Sequence, residues 1–220
     1  MAKRCGKALR SAGLGAAVLA LTGWAWAGSQ TTVPSTIKSA EGNSDNLYPF
    51  NGDAMRYQQV IASSEFASNG AGWITQIALR PDAPSGAAFS ETLPSVAIYL
   101  STTNRPYNNL SKTFATNIGT DVTNVYTGAL PLSSAFSGPA SGPKDFDIVI
   151  TLQTPFWYDP SAGNLLLDVA NYSGGRTTQL DAQDAPDTTS RVWSLDVRSP
   201  SATASDPFPS VGLVIRFIFS

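Results

Sequence analysis

The stretch FDIVITLQ at residues 146–153 decides the fold. Phe146, Ile148, Ile150 and Leu152 alternate with Asp147, Val149, Thr151 and Gln153, and successive side chains of an extended chain point to opposite sides. The stretch therefore reads as a strand with one apolar face and one mostly wet face. Working outward, the same period recurs in residues 73–80 (Trp73, Thr75, Ile77 and Leu79 together), 96–101 (Val96, Ile98, Leu100) and 192–198 (Trp193, Leu195, Val197). It recurs again in residues 164–170, where Leu165, Leu167 and Val169 oppose Leu166, Asp168 and Ala170, and in residues 211–219, where Val211, Leu213, Ile215, Phe217 and Phe219 align. Weaker alternations fall at 57–61, 113–118 and 122–126.

Between these segments lie breakers such as PDAPSG at 81–86 and GPASGP at 138–143, in which proline fixes φ and glycine admits positive φ. Apolar residues spaced three and four apart, the mark of a helix, are sustained only near the amino terminus. About nine or ten short strands without a βαβ rhythm predict an all-β fold: an antiparallel β-sandwich, jelly-roll-like, forming one domain over residues 47–220. Residues 28–46, rich in Ser, Thr, Gly and Asn, read as a polar flexible arm.

Residues 1–27 have the pattern of a signal peptide. Lys3, Arg4, Lys7 and Arg10 form a basic head, residues 14–21 an apolar centre, and Ala25-Trp26-Ala27 a cleavage site, so a secreted protein, extracellular or periplasmic, is expected. Cleavage after Ala27 would remove Cys5, the one cysteine, and four of the 14 basic residues, leaving 10 against 16 acidic, a net charge of −6. The remaining cations are scattered singly along the chain, which argues against nucleic acid as a partner. No later apolar run reaches the ~20 residues of a transmembrane helix.

The chain contains no histidine, and beyond residue 27 no cysteine. A serine nucleophile would lack its usual base, and thiol catalysis and thiolate metal sites are excluded. Carboxylates, hydroxyls, amides and aromatics remain. A carboxylate pair can hydrolyse or cleave glycans, and Asp147, Asp168, Asp196, Glu65 and Glu91 are the candidates, although outward carboxylates on half-wet strands are the plainer reading.

Two further groups stand out. In Phe156-Trp157-Tyr158, alternation puts Trp157 on the side opposite its neighbours. An exposed ring there can stack on a sugar, with Tyr158, Asn171, Tyr172 and Arg176 as further candidate ligand-binding residues for polysaccharide or extracellular matrix material. Asp181, Asp184 and Asp187 lie within seven residues of expected loop, and calcium favours oxygen ligands from a loop, so this trio is the candidate site for a structural Ca2+.

The segments NLYPF, MRYQQVIASSEF, ITQIALRPDAPSG, LPSVAIYLSTT, KDFDIVITLQTPF and NLLLDVANYSGG together resemble a family of uncharacterised secreted bacterial β-sandwich proteins, many carrying a PEP-CTERM type surface-sorting tail. The resemblance implies the fold and export but transfers no catalytic set, and the final Phe219-Ser220 lacks the sorting motif, so simple export is expected. The leading functional expectation is a non-catalytic extracellular module that binds glycan or matrix material or joins a cell-surface layer. The alternatives are a carboxylate-based glycan hydrolase or lyase, and a self-associating fibre or pilus-like subunit that pairs through an edge at residues 211–219.

Overall fold

The computed structural model describes residues 1, 28–185, 188–205 and 210–220. The expected signal segment, Met1 apart, and Asp187 lie outside the described residues. In chain order the strands are β1 (Gln30–Val33), β2 (Ser44–Asn46), β3 (Met55–Ile61), β4 (Gly72–Leu79), β5 (Phe89–Thr103), β6 (Thr123–Ser134) and β7 (Ile148–Tyr158). They continue as β8 (Asn164–Asn171), β9 (Leu180–Ala185), β10 (Thr189–Ser194), β11 (Ala204–Ser205), β12 (Ser210–Leu213) and β13 (Ile215–Phe219). Among the described residues helical structure is limited to short 3-10 turns, and no helix is long and apolar enough to cross a membrane.

A four-stranded sheet, β1-β13-β4-β7, faces a six-stranded sheet, β11-β10-β3-β8-β5-β6, and every pairing is antiparallel. The four strands of the first sheet and β3-β8-β5-β6 of the second follow the strand order of a jelly roll, β13 taking the last position. The additional strands β9 to β12 lie in the chain between β8 and β13. With β2 they build a third sheet, β12-β9-β2, and they extend the six-stranded sheet with β10 and β11. This insertion raises the strand number above the nine or ten expected.

The inner faces supply one core. Ile148, Ile150 and Leu152 of β7 join Ile77 and Leu79 of β4 and Ile215, Phe217 and Phe219 of β13. Opposite them lie Tyr57 and Ile61 of β3, Ile98 and Leu100 of β5, and Leu165, Leu167 and Val169 of β8. Burial of apolar area at ~25 cal/mol per Å2 is the main stabilising term for such a core.

Three side-chain amides stitch strands where the backbone ladder ends, each bonding both the N–H and the C=O of one residue. Gln59 accepts from Leu213 N at 2.9 Å and donates to Leu213 O at 3.1 Å. Gln153 does the same with Thr127 at 3.0 Å in both directions, joining the edge of one sheet to the edge of the other. Asn43 accepts from Asp184 N at 2.7 Å and donates to Asp184 O at 2.9 Å. An amide group has the donor and acceptor of a peptide unit, so it extends a ladder by one rung.

Several sequence expectations are corrected. Residues 28–46 contain β1 and β2 rather than a free arm: Thr31, Thr32 and Val33 are buried against β13, where β-branched residues pack well. The 192–198 strand is displaced to β10, because Asp196 accepts the Arg198 N–H at 3.0 Å and turns the chain, leaving Leu195 exposed. The 113–118 alternation is a 3-10 turn at Phe114–Asn117. The 211–219 run divides at Val214, whose N–H bonds Asp181 O, so that β12 and β13 enter different sheets. Because β13 is flanked by β1 and β4, it is not an open edge for pairing between subunits.

Trp73 is the most consequential correction. Its register with β7 shifts between Ile74 and Gln76, where one residue of β4 faces the extra residues 152–155 of β7. The bulge reverses the alternation, so Ile74 points inward above it, Ile77 and Leu79 point inward below it, and Trp73 points out. Trp193 is only partly buried, packed against the core and under the Arg191 guanidinium at 4.7 Å.

Candidate functional site

The bulge that turns Trp73 outward also sets it beside Trp157, its cross-strand partner. The two indoles are 47% and 50% exposed and meet edge to face with centroids 5.3 Å apart at 66°; Trp73 also walls a hollow of about 480 Å3 with Thr154, Pro155 and Ser220. Half-exposed tryptophans held against each other are unusual on a protein surface. Ser220 N–H donates to Trp73 O at 3.0 Å, tying down the chain end beside the ring. Further along the same face lie Gln76, Thr151 and Ile218, paired in register, with Gln76 donating to Thr151 Oγ1 at 3.3 Å. The face thus offers stacking surface and amide or hydroxyl partners side by side, a combination suited to a sugar ring.

Of the ligand-binding set read from the sequence, Trp157 alone belongs to this surface. Tyr158 is fully buried, its ring against Phe66 at 5.0 Å and its hydroxyl donating to Gly163 O at 2.9 Å; burial pushes its phenol pKa up. Asn171 is also buried, donating to Pro49 O at 3.0 Å. Tyr172 and Arg176 are exposed, but they follow the far end of β8, about 23 Å from its start beside Tyr158 at ~3.3 Å per residue. The sequence reading missed Trp73, since only the β4–β7 register reveals its partner.

The two described members of the calcium trio sit on a strand rather than in a loop. Asp181 and Asp184 lie on β9, three residues apart and therefore on opposite faces; Asp181 is buried and Asp184 exposed. Asp181 faces Arg80, with Nε and Nη2 each 2.6 Å from Oδ2, and Arg80 also donates to Ala40 O at 2.6 Å. Its acidic neighbours are Glu41 and Asp82, each offering an oxygen within 4.8 Å of the others. One oxygen of each is engaged, since Glu41 Oε1 accepts from Ala83 N at 2.7 Å and Asp82 Oδ2 from Ser85 N at 2.8 Å, while Glu41 Oε2 is buried without a hydrogen-bond partner. Burial raises the Asp181 pKa to about 6 against the pull of Arg80, and the Glu41 charge adds to the rise.

Asp168, Glu65 and Asp147, three of the carboxylates considered for glycan cleavage, are likewise occupied. Asp168 receives Arg56 through both oxygens, at 3.1 and 2.7 Å, and Gln58 at 2.8 Å, beneath a lid formed by Phe114. Glu65 accepts from Ser35 N at 2.7 Å and Thr188 Oγ1 at 2.6 Å, and Asp147 accepts from Ala135 N at 2.9 Å. Another recess, of about 410 Å3, is lined by Thr102, Arg105, Thr116 and Gly119 among others and has no carboxylate in its wall. Comparison with known family models, curated proteins and solved structures finds no match.

Proposed function

We propose that the chain is a secreted, non-catalytic module that binds glycan through the outer face of the four-stranded sheet, with Trp73 and Trp157 as the stacking platform. The single observation behind this reading is the exposed edge-to-face indole pair. A protein partner would call for a broader apolar patch, whereas a sugar needs one ring face and a few amides or hydroxyls nearby. The hydrolase or lyase alternative draws less support, because Asp168, Glu65 and Asp147 are each committed to internal hydrogen bonds or an ion pair.

Affinity electrophoresis through gels containing a panel of plant, fungal and bacterial polysaccharides tests the reading. At least one should retard the protein, and Trp73→Ala and Trp157→Ala should each abolish that retardation while leaving melting unchanged within a few degrees. Retardation that survives both substitutions, or that no polysaccharide produces, would refute it.

A further inference from the structure

Ten lysines and arginines follow residue 27. Scattered in sequence, four of them converge in space: Lys38, Arg80, Lys144 and Arg216 line one recess of about 190 Å3, together with Asp145 and Phe146. Each comes from a different part of the chain, after β1, at the end of β4, from the loop before β7, and from β13. The Phe146 ring lies between two of them, 4.9 Å from the Arg80 guanidinium carbon and 4.0 Å from that of Arg216. Stacking on one ring fixes both planar groups without neutralising either.

The charges do not cancel. Arg80 has Asp181, but among the described residues Lys38, Lys144 and Arg216 have no carboxylate within 4 Å. Lys144, itself buried, donates to Pro139 O at 2.7 Å, and Arg216 donates Nε to Thr32 Oγ1 at 3.2 Å; both are neutral acceptors. Asp145 is the one acid in the wall, and it is exposed. Partial desolvation, and then the Arg80 charge, lower the Arg216 pKa, while the Asp145 charge pulls it the other way. The volume corresponds to about six water molecules at ~30 Å3 each, room for an oxyanion and residual water.

We propose that this recess binds a single oxyanion group, with Arg216 as the principal donor and Lys38 and Lys144 completing the charge. Arg216 pairs with Ala78 on the outward face of the sheet, five residues along β4 from Trp73, about 16 Å at ~3.3 Å per residue. One extended acidic polysaccharide therefore reaches both places, its ring on the tryptophans and its sulfate or carboxylate group in the recess. That link rests on the glycan reading above; the oxyanion site itself rests only on the cation geometry.

Melting curves in sodium sulfate and in sodium chloride of matched ionic strength, for the wild type and Arg216→Gln, test the site. Sulfate stabilises most proteins by exclusion from their surfaces, so the difference between the two proteins is the signal. The wild type should show a saturable extra rise that Arg216→Gln loses, Arg216→Lys retains in part, and Asp145→Asn enhances. Equal shifts for the wild type and Arg216→Gln would overturn the site. Gels containing dextran sulfate, polygalacturonate or neutral dextran test the link: Arg216→Gln should weaken retardation at least tenfold with the acidic polymers and leave any neutral-polymer retardation intact. Sulfate binding without retardation by either acidic polymer would confirm the recess as a small-ion site and overturn the link.

Discussion

Asp181 is the sealed counter-ion of Arg80, the two side chains 0% and 1% exposed and 2.6 Å apart. The pair joins the inserted strand β9 to the end of β4 and, through Arg80 to Ala40 O, to the segment before β2. Removing one partner leaves a bare charge in the interior, which costs roughly 3–5 kcal/mol. Arg80→Met should therefore lower stability by about that amount, measured by urea unfolding, while the double replacement Arg80→Met with Asp181→Leu should recover much of the loss.

The same carboxylate gives the protein a pH signature. With Asp181 raised to about 6 from an ordinary 3.8, the folded chain holds a proton between roughly pH 4 and 6 that the unfolded chain has released. Stability contributed by this group therefore falls as pH rises through that window and is level above it, by on the order of 2–3 kcal/mol in all. Urea midpoints of the wild type and Asp181→Asn at pH 4, 5, 6 and 7 read the difference directly. Parallel curves for the two proteins would contradict the shift.

Calcium should find little to do at β9. Arg80 already holds the carboxylate that the aspartate spacing suggested for it, and Asp184 points the other way. Millimolar calcium chloride and millimolar EDTA should give melting temperatures within a degree of each other by differential scanning fluorimetry.

Tyr158 and Trp157 are neighbours in sequence with opposite assignments, and substitutions should separate them. Tyr158→Phe removes a buried hydroxyl bonded to Gly163 O and should cost about 1 kcal/mol without altering polysaccharide retention. Trp157→Ala loses the edge-to-face contact with Trp73, about 1 kcal/mol, and retention with it.

Gln59→Leu should be among the more damaging single changes on the inner strands. It leaves both the N–H and the C=O of Leu213 without their partners in a buried setting, roughly 1–3 kcal/mol for each group. Gln153→Leu, whose contacts with Thr127 are exposed, should cost less than half as much. Urea unfolding of the two variants in parallel makes the comparison.

The jelly roll was legible because its inner residues keep a period of two: Ile148, Ile150 and Leu152, and Leu165, Leu167 and Val169, fell where alternation put them. The failures have local causes. Trp73 was misplaced by a bulge that no pattern of apolar residues announces, and residues 30–33 were passed over because threonine looks polar in a sequence yet packs in a sheet. Tyr158 and Asn171 were read by residue type when their position on inward rungs had already decided their fate. The four converging cations were invisible, since their proximity is a product of strand order alone.

The amide stitches also set how the molecule ages. Hydrolysis of Asn43, Gln59 or Gln153 to the acid replaces an NH2 donor with a second oxygen facing a carbonyl, so deamidation turns each rung into a repulsion. Asn43, exposed and an asparagine rather than a glutamine, is the most labile of the three, and its conversion would loosen the three-stranded sheet.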